Sequence, residues 1–260
     1  MKRNVCRVVA VLVGAALVAA ATASAQSQPA PAAEPPPDVA NEYRITGFPS
    51  YRINDTWSGF GYLGWVYKPD ADYTSYYLGK GFFYSPAKWV HIWGGLIGVY
   101  TDSTVKSDSL ELRPFIGPKF LGSNGMQWRS YYWSRFELRL TESLDSYVCT
   151  MVLSLSNQTR IEIPLASIDR AWTPKSWYLL ADVEPIYRSD SGQIDPLRLR
   201  AGLGYVANRR VLVEVHYFVQ YTRPEGGGLA YTDNIFRLNF KIALSKGINL
   251  MRLLDGGVDD

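Results

Sequence analysis

The chain has 260 residues, with 27 basic and 24 acidic side chains, two histidines, two cysteines and 14% aromatic residues. Setting aside the N-terminal leader removes Lys2, Arg3 and Arg7 and leaves 24 basic residues against 24 acidic, so the charge gives no support for a nucleic-acid partner. Cys6 goes with the leader and only Cys149 remains, which excludes an internal disulfide and any cysteine-based metal site.

Residues 1–25 read as a signal peptide. A basic start is followed by the apolar run Val8–Ala21 and the cleavage site Ala23-Ser24-Ala25. The run is too short for a membrane anchor, and Cys6 precedes it, which argues against a lipid-anchored N-terminus. Residues 26–42, with Pro29, Pro31, Pro35, Pro36 and Pro37, read as an extended linker. No later stretch could form a spanning helix, yet tyrosine is abundant, and amphipathic rings collect at membrane–water interfaces. A membrane protein of this polarity has to be a closed barrel, because backbone groups in lipid need internal partners.

The rest of the chain alternates with a period of two, the signature of strands with one apolar and one polar face. Tyr43–Ile53 contains Pro49 and reads as an edge or first strand. Trp57–Tyr67 follows and closes at the turn Pro69–Asp72. Tyr73–Tyr84, Trp89–Tyr100, Leu110–Lys119 and Trp128–Leu140 come next. Tyr147–Leu165 keeps one parity for nineteen residues, and Trp177–Tyr187 succeeds it. The clearest unit is the hairpin Leu197–Tyr221, whose arms are joined by Asn208-Arg209-Arg210. Phe236–Leu244 repeats the pattern after the loop Arg223–Tyr231.

These segments predict an all-β fold, an antiparallel transmembrane β-barrel over residues 43–244 with a periplasmic tail at 245–260. Segments of about ten residues or more suit a tilted bilayer crossing. They number eleven, whereas a barrel with both termini in the periplasm needs an even number. Ten results if Tyr43–Ile53 does not pair, and twelve if Tyr147–Leu165 breaks near Ser156–Gln158. The expectation is about twelve, with Asn208–Arg210 periplasmic and Arg223–Tyr231 extracellular.

Function would reside on the polar faces, which carry Arg129, Arg135, Glu137, Arg139, Asp182, Glu184, Arg188, Arg198, Arg200, Glu214, His216, Arg237 and Lys241 as lumen-facing candidates. Mixed charges can pair across a small lumen and fill it. The excess of Arg and Lys in this set instead suits a narrow, anion-preferring pore. Catalysis has little to work with. His91 and His216 are not followed by a His-x-Ser pattern, and Glu214 with His216 reads first as an ion pair. The loop Pro224–Leu229 lacks a phosphate-loop Gly-Lys-Ser/Thr, and Asp255–Asp260 lacks calcium-ligand spacing. No catalytic, cofactor-binding or metal-binding residue is therefore expected, and no cofactor.

The segments Arg135–Arg139, Arg160–Leu165, the strand holding Asp182 and Glu184, and Leu199–Tyr205 resemble the outer-membrane β-barrel family of Gram-negative bacteria catalogued as domain of unknown function 2490. The resemblance implies a barrel in the bacterial outer membrane and brings no activity with it. Outer-membrane lipid, lipopolysaccharide and the barrel-assembly machinery would be the partners, with no nucleic acid. Barrels of that membrane usually end on an aromatic residue, whereas here Ser245–Asp260 follows Phe240 and Leu244. The expected role is a narrow channel or structural membrane protein without catalysis. Two alternatives stand beside it: a membrane-embedded lipid-modifying enzyme using His216 and Glu214, and a soluble periplasmic barrel holding a lipid. The last needs the opposite facing of the strands, which alternation by itself does not decide.

Overall fold

The computed structural model describes residues 39–105, 107–123, 128–167, 170–223 and 227–245. The segment read as a signal peptide, most of the expected linker and the tail beyond Ser245 lie outside the described residues. The strands are β1 (Ala40–Arg52), β2 (Trp57–Lys68), β3 (Tyr73–Ala87), β4 (Val90–Ser103), β5 (Ser109–Ser123), β6 (Arg129–Ser143), β7 (Cys149–Pro164), β8 (Ser176–Arg188), β9 (Gln193–Val206), β10 (Val211–Thr222) and β11 (Ala230–Ala243). Residues 40–42, assigned above to the linker, are thus part of the first strand. Pro69–Ala71 forms one turn of 3-10 helix, which Asp72 ends in the left-handed conformation.

Each strand pairs antiparallel with its sequence neighbours, and β1 and β11 close the barrel in parallel, from Ala40↔Asp233 to Ser50↔Ala243. The expected count of twelve or ten is therefore corrected to eleven. Neither escape route holds: β1 is paired on both sides, and β7 runs unbroken against β6 from Cys149 to Glu162. The polar stretch Ser156–Gln158 does not interrupt β7, because Ser156 and Gln158 alternate onto the buried inner face. The even-number rule presumes antiparallel closure. Ten successive reversals leave β1 and β11 running in the same direction, and only a parallel ladder can then join them.

The odd count also separates the strand ends. β1 begins at the rim carrying the 69–72, 104–108 and 223–229 connections, here the N-terminal rim. β11 finishes at the other, C-terminal rim, beside the 53–56 and 207–210 turns. The expectation that both ends of the barrel share one side is corrected accordingly.

The facing of the strands is settled by burial. Ile45, Leu63, Leu78, Leu96, Leu112, Leu153, Leu179 and Val215 are exposed on the outside. Aromatic rings flank this aliphatic band. Trp57 packs on Tyr84 at 4.7 Å and Trp177 on Tyr205 at 4.5 Å near the C-terminal rim. Toward the other rim Tyr43 stacks on Phe236 across the parallel seam at 5.7 Å, and Tyr217 of β10 packs tilted on the same ring at 5.3 Å. Strands of 12 to 16 residues at about 3.3 Å per residue and a tilt of about 40° rise roughly 30–40 Å. That matches a hydrocarbon core of about 30 Å.

Candidate functional site

The inner face is organised by carboxylates that each gather several donors. Glu214, with no exposed surface, is the most saturated. Its Oε1 accepts from Tyr178 Oη at 2.7 Å, from Lys241 Nζ at 2.8 Å and from Arg160. Its Oε2 accepts from Asn239 Nδ2 at 2.8 Å and lies 3.0 Å from His216 Nε2. All of these groups but His216 come from three other strands, so the carboxylate ties β7, β8 and β11 to β10. Tyr178 reaches it because Gly204 separates them in the ladder: a Cβ there would stand 2.0 Å from the Tyr178 ring. A buried charge without such partners costs several kcal/mol, so the donors are what make the position tenable.

Glu184 forms a second hub. Ser156 donates to it at 2.7 Å, and Arg200, Arg198 and Arg135 approach at 3.3, 3.7 and 4.0 Å. Arg135 and Arg139 also flank Glu137 at 3.4 and 3.3 Å, and Arg139 reaches Glu111 at 3.1 Å. Asp182 sits behind this group, 3.4 Å from Arg200. Arg200 in turn lies 4.0 Å over the ring of the fully buried Phe218.

Between these groups the barrel encloses a cavity of about 490 Å³. Its wall carries twelve Arg or Lys side chains and three carboxylates, Glu42, Glu137 and Glu184, while Glu111, Glu162, Asp182, Asp190, Glu214 and Asp233 pair with wall cations from outside the lining, so the cationic excess is small. The imbalance leaves donors pointing inward. Arg237 is one of them: its Nε donates to Thr46 Oγ1 at 2.9 Å, and no carboxylate among the described residues lies within ion-pair distance.

Toward the C-terminal rim the wall turns aromatic. Phe60, Trp93 and Phe115 are buried together, with Phe48, Phe83 and Trp133 packed against them. Phe60 on β2 and Phe115 on β5 come to 6.4 Å because the residues between them in the same ladder row, Gly81 and Gly95, have no side chains. A Cβ on Gly81 would fall 2.4 Å from the Phe60 ring. At the same rim the β7–β8 connection folds inward. Trp172 is buried with Ala171, Tyr178, Leu180 and Leu212, and Arg129 lies 4.1 Å over its ring. Trp172 holds φ 62°, a left-handed conformation that disfavours bulky residues and that its burial offsets.

Of the sequence candidates, Arg135, Glu137, Arg139, Glu184, Arg188, Arg198, Arg200, His216, Arg237 and Lys241 stand on the cavity wall. Asp182 and Glu214 are buried behind it, and Arg129 is drawn to Trp172 at the rim. Arg188 also holds Asp190, in the following turn, through bonds of 3.0 and 2.5 Å, which keeps that carboxyl below its usual range. Sequence reasoning missed the aromatic wall, since Phe60, Trp93 and Phe115 share the inward parity with polar residues on their strands. It also missed Ser85, whose Oγ lies 2.6 Å from His91 Nδ1 within the β3–β4 hairpin. His91 is buried and Ser85 half-buried, both off the cavity wall, and their bond secures the hairpin. Among the described residues no three His, Cys, Asp or Glu side chains are grouped to hold a metal ion.

The fold and its lining define a class: a closed up-and-down β-barrel with an aliphatic outer belt and a cationic interior. A family model described as a protein of unknown function (DUF2490) matches residues 39–229. The chain belongs to that family, in agreement with the resemblance read from the strand segments. No curated protein matches the sequence.

Proposed function

We propose that the protein is a bacterial outer-membrane β-barrel that acts, without catalysis, as a narrow pore preferring anions. The observation that carries this reading is the cavity wall, where twelve cationic side chains outnumber the three carboxylates of the lining together with the six that pair with them from outside it. Such an excess in a narrow, low-dielectric passage concentrates anions and repels cations. The aromatic wall and Trp172 keep the passage narrow. The aliphatic belt supports insertion among outer-membrane lipid and lipopolysaccharide by the barrel-assembly machinery, since a closed barrel leaves no backbone group unpaired in lipid. Its facing is opposite to what a soluble lipid-binding barrel requires. The Glu214–His216 pair supports a structural role, because both Glu214 oxygens already accept hydrogen bonds and neither is left to take a substrate proton.

The test is membrane fractionation with a gel shift on boiling, followed by planar-bilayer recording across a potassium chloride gradient. Recovery in the outer membrane and a reversal potential of the sign set by chloride are expected. Recovery in the soluble periplasm, the absence of conductance, or a reversal potential set by potassium would overturn the reading.

A further inference from the structure

The connections at the two rims carry opposite charge. Among the described residues, those of the N-terminal rim hold Asp70, Asp72, Asp108, Asp145 and Asp190 against Arg223. Those of the C-terminal rim hold Lys88, Arg170, Lys175, Arg209 and Arg210 against Asp55, which Arg52 already engages. Four of these cations stand on neighbouring connections, Arg170 and Lys175 between β7 and β8, Arg209 and Arg210 between β9 and β10. The Lys175 N–H donates to the Val206 carbonyl at 2.6 Å, which sets the end of the first connection against the start of the second. All four residues are exposed, and none of their side chains has an ion-pair or hydrogen-bond partner among the described residues. The outer wall next to them is layered. Trp177, 46% exposed, packs at 4.5 Å on Tyr205, its partner in the ladder. One step further from the rim, Leu179 faces Leu203, and both are exposed. Away from the rim the order is therefore cation, amphipathic ring, aliphatic chain.

We propose that this corner of the C-terminal rim binds an anionic glycerophospholipid. The phosphate lies among Arg170, Lys175, Arg209 and Arg210, the glycerol beside Trp177 and Tyr205, and the acyl chains on Leu179 and Leu203. The order matches that of the groups along a lipid, and amphipathic rings settle at the headgroup level. Guanidinium and ammonium groups donate to phosphate oxygens, and here no described carboxylate competes for them. Each basic side chain beside a membrane strengthens attraction to anionic headgroups about fivefold. Glycerophospholipid is chosen over lipopolysaccharide because the orientation expected above turns Asn208–Arg210 to the periplasm, whereas lipopolysaccharide occupies the outer leaflet. The site rests on the membrane-inserted barrel proposed above and names the lipid that the barrel holds.

The experiment is calorimetric titration of the full-length protein, held in a non-ionic detergent, with dioctanoyl-phosphatidylglycerol. One comparator is dioctanoyl-phosphatidylcholine, which keeps the chains and the phosphate without net charge. The other is glycerol 3-phosphate, which keeps the phosphate without the chains. Saturable binding of phosphatidylglycerol is expected, with both comparators at least about tenfold weaker. Lipid A, the phosphorylated anchor of lipopolysaccharide, should also bind more weakly. The double variant Arg209→Gln/Arg210→Gln, checked for folding by its gel shift on boiling, should weaken phosphatidylglycerol at least about tenfold. Lys88→Gln removes a cation of the same rim from the β3–β4 hairpin and should leave the affinity unchanged. Absence of saturable binding, equal binding of either comparator, preferential binding of lipid A, an unchanged affinity in the folded double variant, or as large a loss in Lys88→Gln would overturn the proposal. Anion-selective conductance without phosphatidylglycerol binding would defeat this inference alone. Phosphatidylglycerol binding by a barrel without conductance would defeat the pore reading alone.

Discussion

Tyr178 on β8 donates its hydroxyl to Glu214 on β10 at 2.7 Å, and its ring crosses the intervening strand over Gly204. The contact exists only because position 204 has no side chain. Gly204→Ala would set a Cβ 2.0 Å from the Tyr178 ring, displacing it and leaving a buried carboxylate one donor short. A loss of about 1–3 kcal/mol is expected, read as a lower urea midpoint for unfolding in detergent micelles. Tyr178→Phe keeps the ring and drops only the hydroxyl, so its loss should be the smaller. A neutral Gly204→Ala would refute the packing argument.

Glu214 matches the charges of Arg160 and Lys241. Glu214→Gln strands Lys241 and leaves Arg160 with Glu162 alone, for an expected cost of about 3–5 kcal/mol. Adding Lys241→Met should recover part of that loss, because the second change removes the charge left unmatched. Strictly additive losses in the double-mutant cycle would mean that the two groups are not coupled.

Leu78 is 68% exposed in the middle of the outer belt. If lipid covers the belt, Leu78→Arg should destabilise the protein in phospholipid vesicles by about 2–4 kcal/mol. In water the same change would cost almost nothing. Equal stability of the two proteins in vesicles would argue against a membrane-spanning belt.

Trp172 occupies the C-terminal rim beneath Arg129. Trp172→Ala removes the largest side chain there, so single-channel conductance should rise while the preference for anions, set by the wall beyond it, stays. A conductance equal to that of the parent would place the narrowest point elsewhere.

Cys149 is exposed at the start of β7, at the rim that also bears the 223–229 connection. That connection is expected outside the cell, so a membrane-impermeant maleimide should label Cys149 in intact cells. Labelling only after the outer membrane is permeabilised would invert the orientation.

The strands were legible in the sequence. Side chains on a strand alternate strictly, so runs such as Val211–Tyr221 and Trp177–Tyr187 declare their two faces locally. The hairpin at Asn208–Arg210 is local for the same reason. The residues of the ionic hubs could be named too, since Glu214, His216, Arg237 and Lys241 follow the polar parity of β10 and β11. What they do there could not be named. Whether Glu214 is a saturated hub or a free base depends on Tyr178, Arg160 and Asn239, which the chain supplies from three other strands.

Three features were decided only in three dimensions. Alternation is unchanged when the faces are exchanged, so which face turns inward depends on closure of the whole barrel. The strand number depended on whether Ala40–Arg52 and Ala230–Ala243 meet, a pairing across the full length of the fold that leaves no local signal. The aromatic wall required Phe60 and Phe115 to share a ladder row with Gly81 and Gly95, and registers across successive strands are fixed by pairing, not by composition. The sequence by itself determined a chain of two-faced strands; the closure of those strands decided which face became a cationic, aromatic-floored lumen, because only closure brings side chains from distant strands within contact of one another.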